Sequence, residues 1–218
     1  IRATLDAIAA ALGPRAAAAA ELPVDLAALE TKYPASGKRP SDALILGMLR
    51  QLDRETHVIT EGSSEDAIVQ DMAVRLGFRN VHFSPRGGGL GWAMPIGVGI
   101  GLATGKHAVC FVGDGGSLFS IHALWTAAKY AIPSIYVCFV NHEYRLLKEL
   151  WCNVMGTTID TTQFVGMDFN DPTLNMQDIA EGFGARVETI RTLDGIGAVL
   201  QRAQAHQGPS FLIINREP

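Results

Sequence analysis

The stretch Ala108-Val109-Cys110-Phe111-Val112-Gly113-Asp114-Gly115-Gly116-Ser117 runs from an unbroken apolar segment into glycines that flank a carboxylate. A short continuous apolar run bounded by a turn signal reads as a buried strand. Asp-Gly between apolar runs ordinarily means a hairpin. Here the residues that follow, Leu118, Ile121, Leu124, Trp125 and Ala128, keep helical spacing and predict a helix over 118–130. A second apolar strand, 134–140, comes next and ends at Asn141, 27 positions after Asp114. Strand, glycine turn, helix and strand form a unit whose two strands lie parallel.

The same alternation extends in both directions. Strands are predicted at 57–60, 81–83, 108–112, 134–140, 186–190 and 211–214, and helices at 63–76, 92–103, 118–130, 144–151, 176–183 and 195–206. Short apolar strands separated by helices give a doubly wound α/β fold, a mostly parallel sheet with helices on both faces. Ahead of it, Leu5, Ile8, Ala9 and Leu12 mark a helix over 1–12 that Gly13-Pro14 stops. Residues 16–40 are rich in alanine and carry Pro23, Pro34, Gly37 and Pro40, as suits a connector over the surface. The expected organisation is therefore residues 1–40 as the tail of a preceding domain plus linker, and 41–218 as one globular domain. The chain opens on Ile1 in helical pattern and reads as a piece of a longer protein.

Composition narrows the function. In 218 residues with 48% apolar and 18% charged content there is ample material for a core. The net charge of −4 is spread over interspersed acids and bases, which excludes a basic face for nucleic acid. Cys110, Cys138 and Cys152 lack C-x-x-C spacing and read as small reduced core residues. The longest apolar stretch, 92–104, is broken by Pro95, Gly97, Gly99 and Gly101 and is too short for a bilayer. With no signal peptide visible, a cytoplasmic protein is expected.

Parallel sheets of this kind bind ligands beyond the carboxyl ends of their strands. Asp114 falls there, and a partly buried carboxylate costs several kcal/mol, on the order of 3–5, when unpaired. A helix terminus returns only about 0.3–1 kcal/mol. A hard divalent cation such as Mg²⁺ is the natural remedy, because it takes oxygen ligands and bridges them to phosphates. The Asn141 side chain and a backbone carbonyl from the turn His142-Glu143 would complete the protein's share. Glycines after Asp114 expose amides to an anion.

These features resemble the thiamine diphosphate-dependent decarboxylases and carboligases, whose diphosphate-binding domain carries GDG followed by Asn somewhat under thirty residues later. The nearest likeness is to the benzoylformate decarboxylases. It is carried by Gly88-Gly89-Leu90-Gly91-Trp92-Ala93-Met94-Pro95 and by Ser120-Ile121-His122-Ala123-Leu124-Trp125-Thr126-Ala127-Ala128 with Tyr130, Ile132 and Pro133, and it spans about 40–214. The resemblance implies that Asp114, Asn141 and the Glu143 carbonyl bind Mg²⁺, which clamps the cofactor's diphosphate. It implies further phosphate contacts from Ser63, Ser64, Gly115, Gly116, Ser117 and Tyr144, an aminopyrimidine contact from the Gly88 backbone, and Leu90 as the wedge that bends thiamine diphosphate. The family's hydroxyl directly after GDG is replaced by Gly116, which shifts it to Ser117. The second ligand's usual Asn-Asn or Asn-Gly reads Asn141-His142.

The implied activity is decarboxylation of a small 2-oxo acid. No catalytic residue is assigned within this chain, since the family's activating glutamate lies in a separate pyrimidine-binding domain and Glu61 does not match it. A polypeptide without that domain is expected to lack turnover, and the full-length protein is expected to be a homodimer or homotetramer. An acetolactate synthase-type carboligase shares every motif and stays open. A 2-oxo acid oxidoreductase subunit would want iron–sulfur cysteines, and a plain nucleotide-binding module would want a Walker lysine or G-x-G-x-x-G after a strand. The start of the predicted helix 144–151, with Arg145, Lys148 and Glu149, is more charged than an aryl pocket suggests, although Leu147 and Leu150 could line one. Ala93, Gly97, Gly101 and Gly105 recur every four residues, a smooth stripe suited to close packing on the sheet or on a partner domain.

Overall fold

The computed structural model describes residues 24–34, 40–62, 64–82 and 88–216. All six predicted strands are present and form one parallel sheet: β1 (His57–Glu61), β2 (Asn80–His82), β3 (Ala108–Gly113), β4 (Ser134–Val140), β5 (Arg186–Thr189) and β6 (Pro209–Asn215), in the order β2-β1-β3-β4-β6-β5. The central strands are buried on both faces, which is why they read as continuous apolar runs. Alternate side chains feed two cores. Val109, Phe111, Ile135, Val137 and Phe139 pack on one side, and Cys110, Val112, Tyr136 and Cys138 on the other.

The first side is covered by α2 (Pro40–Arg50), α3 (Asp66–Arg75) and α9 (Ile196–Ala205). The second is covered by α4 (Ala93–Thr104), α6 (Ala123–Lys129) and α8 (Met176–Gly182). Helix α7 (Arg145–Met155) flanks the carboxyl edge of the sheet, and α1 (Leu26–Lys32) precedes the whole. The three cysteines are free and buried, as their sequence context predicts. No helix among the described residues is long and apolar enough to cross a membrane.

Several segments differ from the sequence reading. The predicted opening helix and Ser63 lie outside the described residues. Within 16–40, where a connector is expected, α1 forms because Asp25 accepts the Ala28 N–H at 2.9 Å and Leu29 packs into the core. It is tied down where the Lys32 ammonium and the Tyr33 hydroxyl both donate to Asp71 on α3, each at 2.9 Å. Helix α2 goes unread because the linker composition masks its start, although Ile45, Met48 and Leu49 lie on one buried face. The predicted helix 118–130 is split. A single turn, α5 (Asp114–Ser117), is followed by tight i to i+3 turns, with the Phe119, Ser120 and Ala123 N–H groups donating to Gly116, Ser117 and Ser120, before α6 begins.

The glycine stripe of α4 packs on its own sheet. A Cβ on Gly97 would stand 2.7 Å from Cys110 Sγ, and one on Gly101 would stand 2.4 Å from the Pro133 carbonyl oxygen. Helix and sheet meet this closely only because those side chains are missing. We expect Gly101→Ala to cost about 1–3 kcal/mol in denaturant unfolding, whereas Gly99→Ala, with nothing within 4 Å of the new methyl, should gain up to about 1 kcal/mol.

Candidate functional site

The strand order reverses at β1, which sends the chain to β2 on one side and leaves β3 on the other. A crevice therefore opens beyond the carboxyl ends of β1 and β3. It is a cavity of about 350 Å³ lined by Ser64, Gly88, Leu90, Asp114, Gly115, Gly116, Asn141, Glu143 and Tyr144, so nine of the residues picked from the sequence meet in one place. Ser117 does not join them. It is fully buried, and its hydroxyl donates to the Asp114 carbonyl at 2.7 Å, so it braces the turn instead of facing the cavity. A larger cavity of about 510 Å³ lies at the opposite, amino-terminal edge beside Thr56, His57 and His107, and holds none of these residues.

Asp114 organises the carboxyl edge. Its carboxylate is 3% exposed and accepts three backbone N–H groups: Gly115 on Oδ1 at 2.8 Å, and Asn141 and His142 on Oδ2 at 3.0 and 2.7 Å. Burial raises its pKa above the ordinary carboxylate value, and the three amide donors offset this in part. Binding two successive amides bends the backbone, and His142 sits in the left-handed region at φ 58°. Residues other than Gly adopt that conformation uncommonly, Asn, Asp and His more often than the rest. The turn then places Asn141 Oδ1 against the Glu143 N–H at 3.2 Å, so the asparagine side chain is oriented beside the carboxylate.

Glu61, at the end of β1, is the residue whose part the sequence reading misses. Its carboxylate is 1% exposed and accepts the N–H groups of Gly91 at 2.6 Å, Trp92 at 2.7 Å and Ala93 at 2.5 Å. Trp92 caps α4 and Ala93 opens it, and amides at a helix start lack partners inside the helix and favour a negative group, while Gly91 lies just ahead of the cap. The bonds fix the chain just after Leu90. That residue leans over Gly62, where an added Cβ would meet Leu90 Cδ2 at 2.4 Å. The only hint in the sequence is an acid ending an apolar strand.

The charges that open α7 are paired, and of the three only Arg145 lines the cavity. Arg145 donates to Glu143 at 2.9 Å and to Glu149 at 3.2 Å, while the buried Lys148 ammonium lies 2.5 Å from both Glu143 and Asp168. Burial pulls the Lys148 pKa down, but the two carboxylates outweigh it and leave it above the ordinary value. Leu147 and Leu150 are left half exposed along the cavity wall. Tyr144 stacks edge-on against Phe169 with centroids 4.7 Å apart, and its ring would stand 2.5 Å from a Cβ on Gly115. Of the histidines near the sheet, His82 hydrogen-bonds His57 ring to ring at 2.8 Å, away from the cavity, and His142 contributes its backbone.

The donor set fits the group the sequence implies. A buried carboxylate whose raised pKa reflects lost solvation gains from a cation. An adjacent amide oxygen and a backbone carbonyl are hard oxygen donors of the kind Mg²⁺ selects. Among the described residues no three His, Cys, Asp or Glu side chains stand together as a metal cluster, so an ion here would draw further ligands from phosphate or water. Gly113, Gly115 and Gly116 line the cavity, and the room beside Gly115 is taken by the Tyr144 ring.

Comparison with known proteins points to a domain that binds thiamine diphosphate. The family described as thiamine pyrophosphate enzyme, C-terminal TPP binding domain, matches residues 67–214. Benzoylformate decarboxylase of Pseudomonas aeruginosa is 30% identical over 132 residues, 60% of this chain and 24% of that protein. The acetolactate synthase large subunit of Haemophilus influenzae is 29% identical over 119 residues, 53% of this chain and 19% of that protein. The crystal structure of benzoylformate decarboxylase from Polynucleobacter necessarius superposes with a TM-score of 0.69 at 25% identity, covering 85% of this chain and 34% of that one. The chain thus spans about a quarter of the length of the Pseudomonas relative.

Glu61 gives a direct test of the geometry. Glu61→Ala strands three amides and should cost about 2 kcal/mol or more in chemical denaturation. Glu61→Gln, which keeps one acceptor oxygen, should recover part of that loss, and equal stability of the wild type and both variants would show the carboxylate to be idle.

Proposed function

The chain belongs to the thiamine pyrophosphate enzymes, as a C-terminal TPP binding domain, and on that premise we propose that it anchors the cofactor's diphosphate through Mg²⁺ in a decarboxylase of 2-oxo acids. The observation that carries this is the Asp114 carboxylate, held at the sheet edge by three amides with Asn141 alongside. Asp114, Asn141 and the Glu143 carbonyl hold the metal. Amides of Gly115 and Gly116, with Ser64 and Tyr144, meet the diphosphate, and Leu90 and the Gly88 backbone meet the rings. When bound, thiamine diphosphate supplies a thiazolium that accepts the electrons released as CO₂ leaves.

The residues of this chain bind and orient. Glu61 is committed to the α4 amides, so the acid that activates the aminopyrimidine comes from a pyrimidine-binding domain of the same enzyme, and this chain has no turnover without it. On the substrate side, Leu147 and Leu150 form an apolar wall because the neighbouring charges pair with one another. That wall favours a 2-oxo acid with an apolar side chain. A carboligase of the acetolactate synthase kind is the second reading, favoured by the likeness to the Haemophilus protein.

In the complete natural polypeptide, Asp114→Ala and Asn141→Ala should each weaken Mg²⁺-dependent binding of thiamine diphosphate about 100-fold or more, the scale of losing a charged or direct metal ligand. Unchanged affinity in both variants would remove the metal assignment. Release of CO₂ from aryl or branched 2-oxo acids supports the decarboxylase, while acetolactate formed from pyruvate supports the carboligase.

The pH dependence has a definite sign. A raised folded-state pKa means that Asp114 contributes stability fully below its unfolded value and loses that contribution as pH rises through the folded value. A cation needs the ionised form, so Mg²⁺ affinity should fall as pH is lowered through that same folded value. Isothermal titration across the acid range measures it, and an affinity that is flat in pH or rises with acid counts against Asp114 as the ligand.

A further inference from the structure

Beneath the turn that follows β4 lies a group of charges that the cofactor reading leaves without a task. Lys148, in the second turn of α7, is 5% exposed, and its ammonium lies between two carboxylates, 2.5 Å from Glu143 Oε2 and 2.5 Å from Asp168 Oδ1. The Phe164 ring completes its surroundings, with the centroid 5.5 Å from Nζ. Glu143 belongs to the turn beside the cavity, whereas Asp168 belongs to the segment that doubles back after α7. The two residues form an isolated antiparallel bridge. On either side of it the Tyr144 N–H donates to the Met167 carbonyl at 2.9 Å, and the Phe169 N–H donates to the His142 carbonyl at 2.8 Å.

Two carboxylates facing each other across so small a bridge repel unless a cation sits between them. Arg145 satisfies only Glu143 Oε1 and is shared with Glu149. Lys148 alone touches both sides of the bridge among the ion pairs of the described residues. What it holds together matters at the cavity. The returning segment carries Phe169, which packs edge-on against Tyr144, and an added Cβ on Gly115 would meet both rings, at 2.5 Å and 3.1 Å.

We infer that Lys148 is a positioning residue: its ammonium clamps the returning segment 167–169 onto the turn 141–144, and thereby fixes the Glu143 carbonyl and the Tyr144 ring at the cofactor cavity. It touches neither metal nor cofactor. The clamp stands on the geometry, and its effect on the cofactor rests on the function proposed above. Arginine keeps the charge and the reach, while methionine keeps only the apolar stem.

The test compares Lys148→Met, Lys148→Arg and Asp168→Asn in the complete natural polypeptide. Amide hydrogen exchange is read at Tyr144 and Phe169 without cofactor, and binding of Mg²⁺ with thiamine diphosphate is followed by tryptophan fluorescence. In Lys148→Met both amides should exchange about tenfold faster or more, as local opening becomes easier. The apparent Kd for the cofactor should rise by about tenfold, while kcat at saturating cofactor stays within about twofold, as expected where ground-state and transition-state binding are lost equally. Lys148→Arg, which keeps the positive charge in a bulkier planar group, should restore both readouts in part. Asp168→Asn changes a carboxylate that is 47% exposed, keeps the fold, and should show the same pattern at smaller amplitude.

Wild-type exchange rates in both Lys148→Met and Asp168→Asn overturn the clamp. Faster exchange with unchanged cofactor affinity overturns the positioning role. If the wild-type protein itself fails to bind Mg²⁺ with thiamine diphosphate, the cofactor reading falls and takes the positioning role with it, while the exchange rates still decide the clamp.

Discussion

Everything at the carboxyl edge depends on one buried carboxylate being solvated by the backbone. Asp114 leaves water when β3 and β4 pair, and the amides of Gly115, Asn141 and His142 replace that water. This couples two loops that are far apart in sequence. The β3 turn cannot move without releasing the β4 turn, and the β4 turn accepts a left-handed histidine to stay bound. The parallel register of β3 on β4, with Gly113 opposite Phe139, brings the two loops level so that the bonds can form. Three amides do not return all that solvation gave, as the raised pKa of Asp114 shows. The remaining deficit is what a cation at this edge would relieve.

A second carboxylate works the same way on the other side of the crevice. Glu61 closes the amino end of α4 with three backbone bonds, and α4 in turn lies close on the sheet through Gly97 and Gly101. Leu90 therefore stands at the mouth of the cavity on a rigid support. Sites on rigid supports keep their geometry better than sites on free loops.

The start of α7 shows how charge and apolar surface are separated within one helix. Arg145, Lys148 and Glu149 pair with one another or with Glu143 and Asp168, and the leucines of the adjoining face meet the cavity. From the sequence these charges argue against an apolar pocket. The structure narrows the objection, because Lys148 is buried and paired, and Arg145, which does line the cavity, is paired with Glu143 and Glu149.

The fold class was legible because local physics sets it: continuous apolar strands and intervening helices of sufficient length leave few arrangements other than a parallel sheet covered on both sides. That Asp114 and Asn141 would meet was legible too, since they follow consecutive strands and every parallel strand delivers its next residue to the same edge. Helix α2 was hidden by the linker composition before it, and the break in the predicted helix 118–130 by spacing that stays apolar through a tight turn. What no local pattern could reveal were the roles of Glu61, Ser117 and Lys148. A hydroxyl that looks ready for phosphate braces its own turn, an acid ending a strand caps a helix some thirty residues on, and a surface-type lysine lies buried between two acids. Each role depends on partners that meet only when the sheet closes, because hydrogen bonds and ion pairs are set by distance in space, whereas propensity and periodicity are set by distance along the chain.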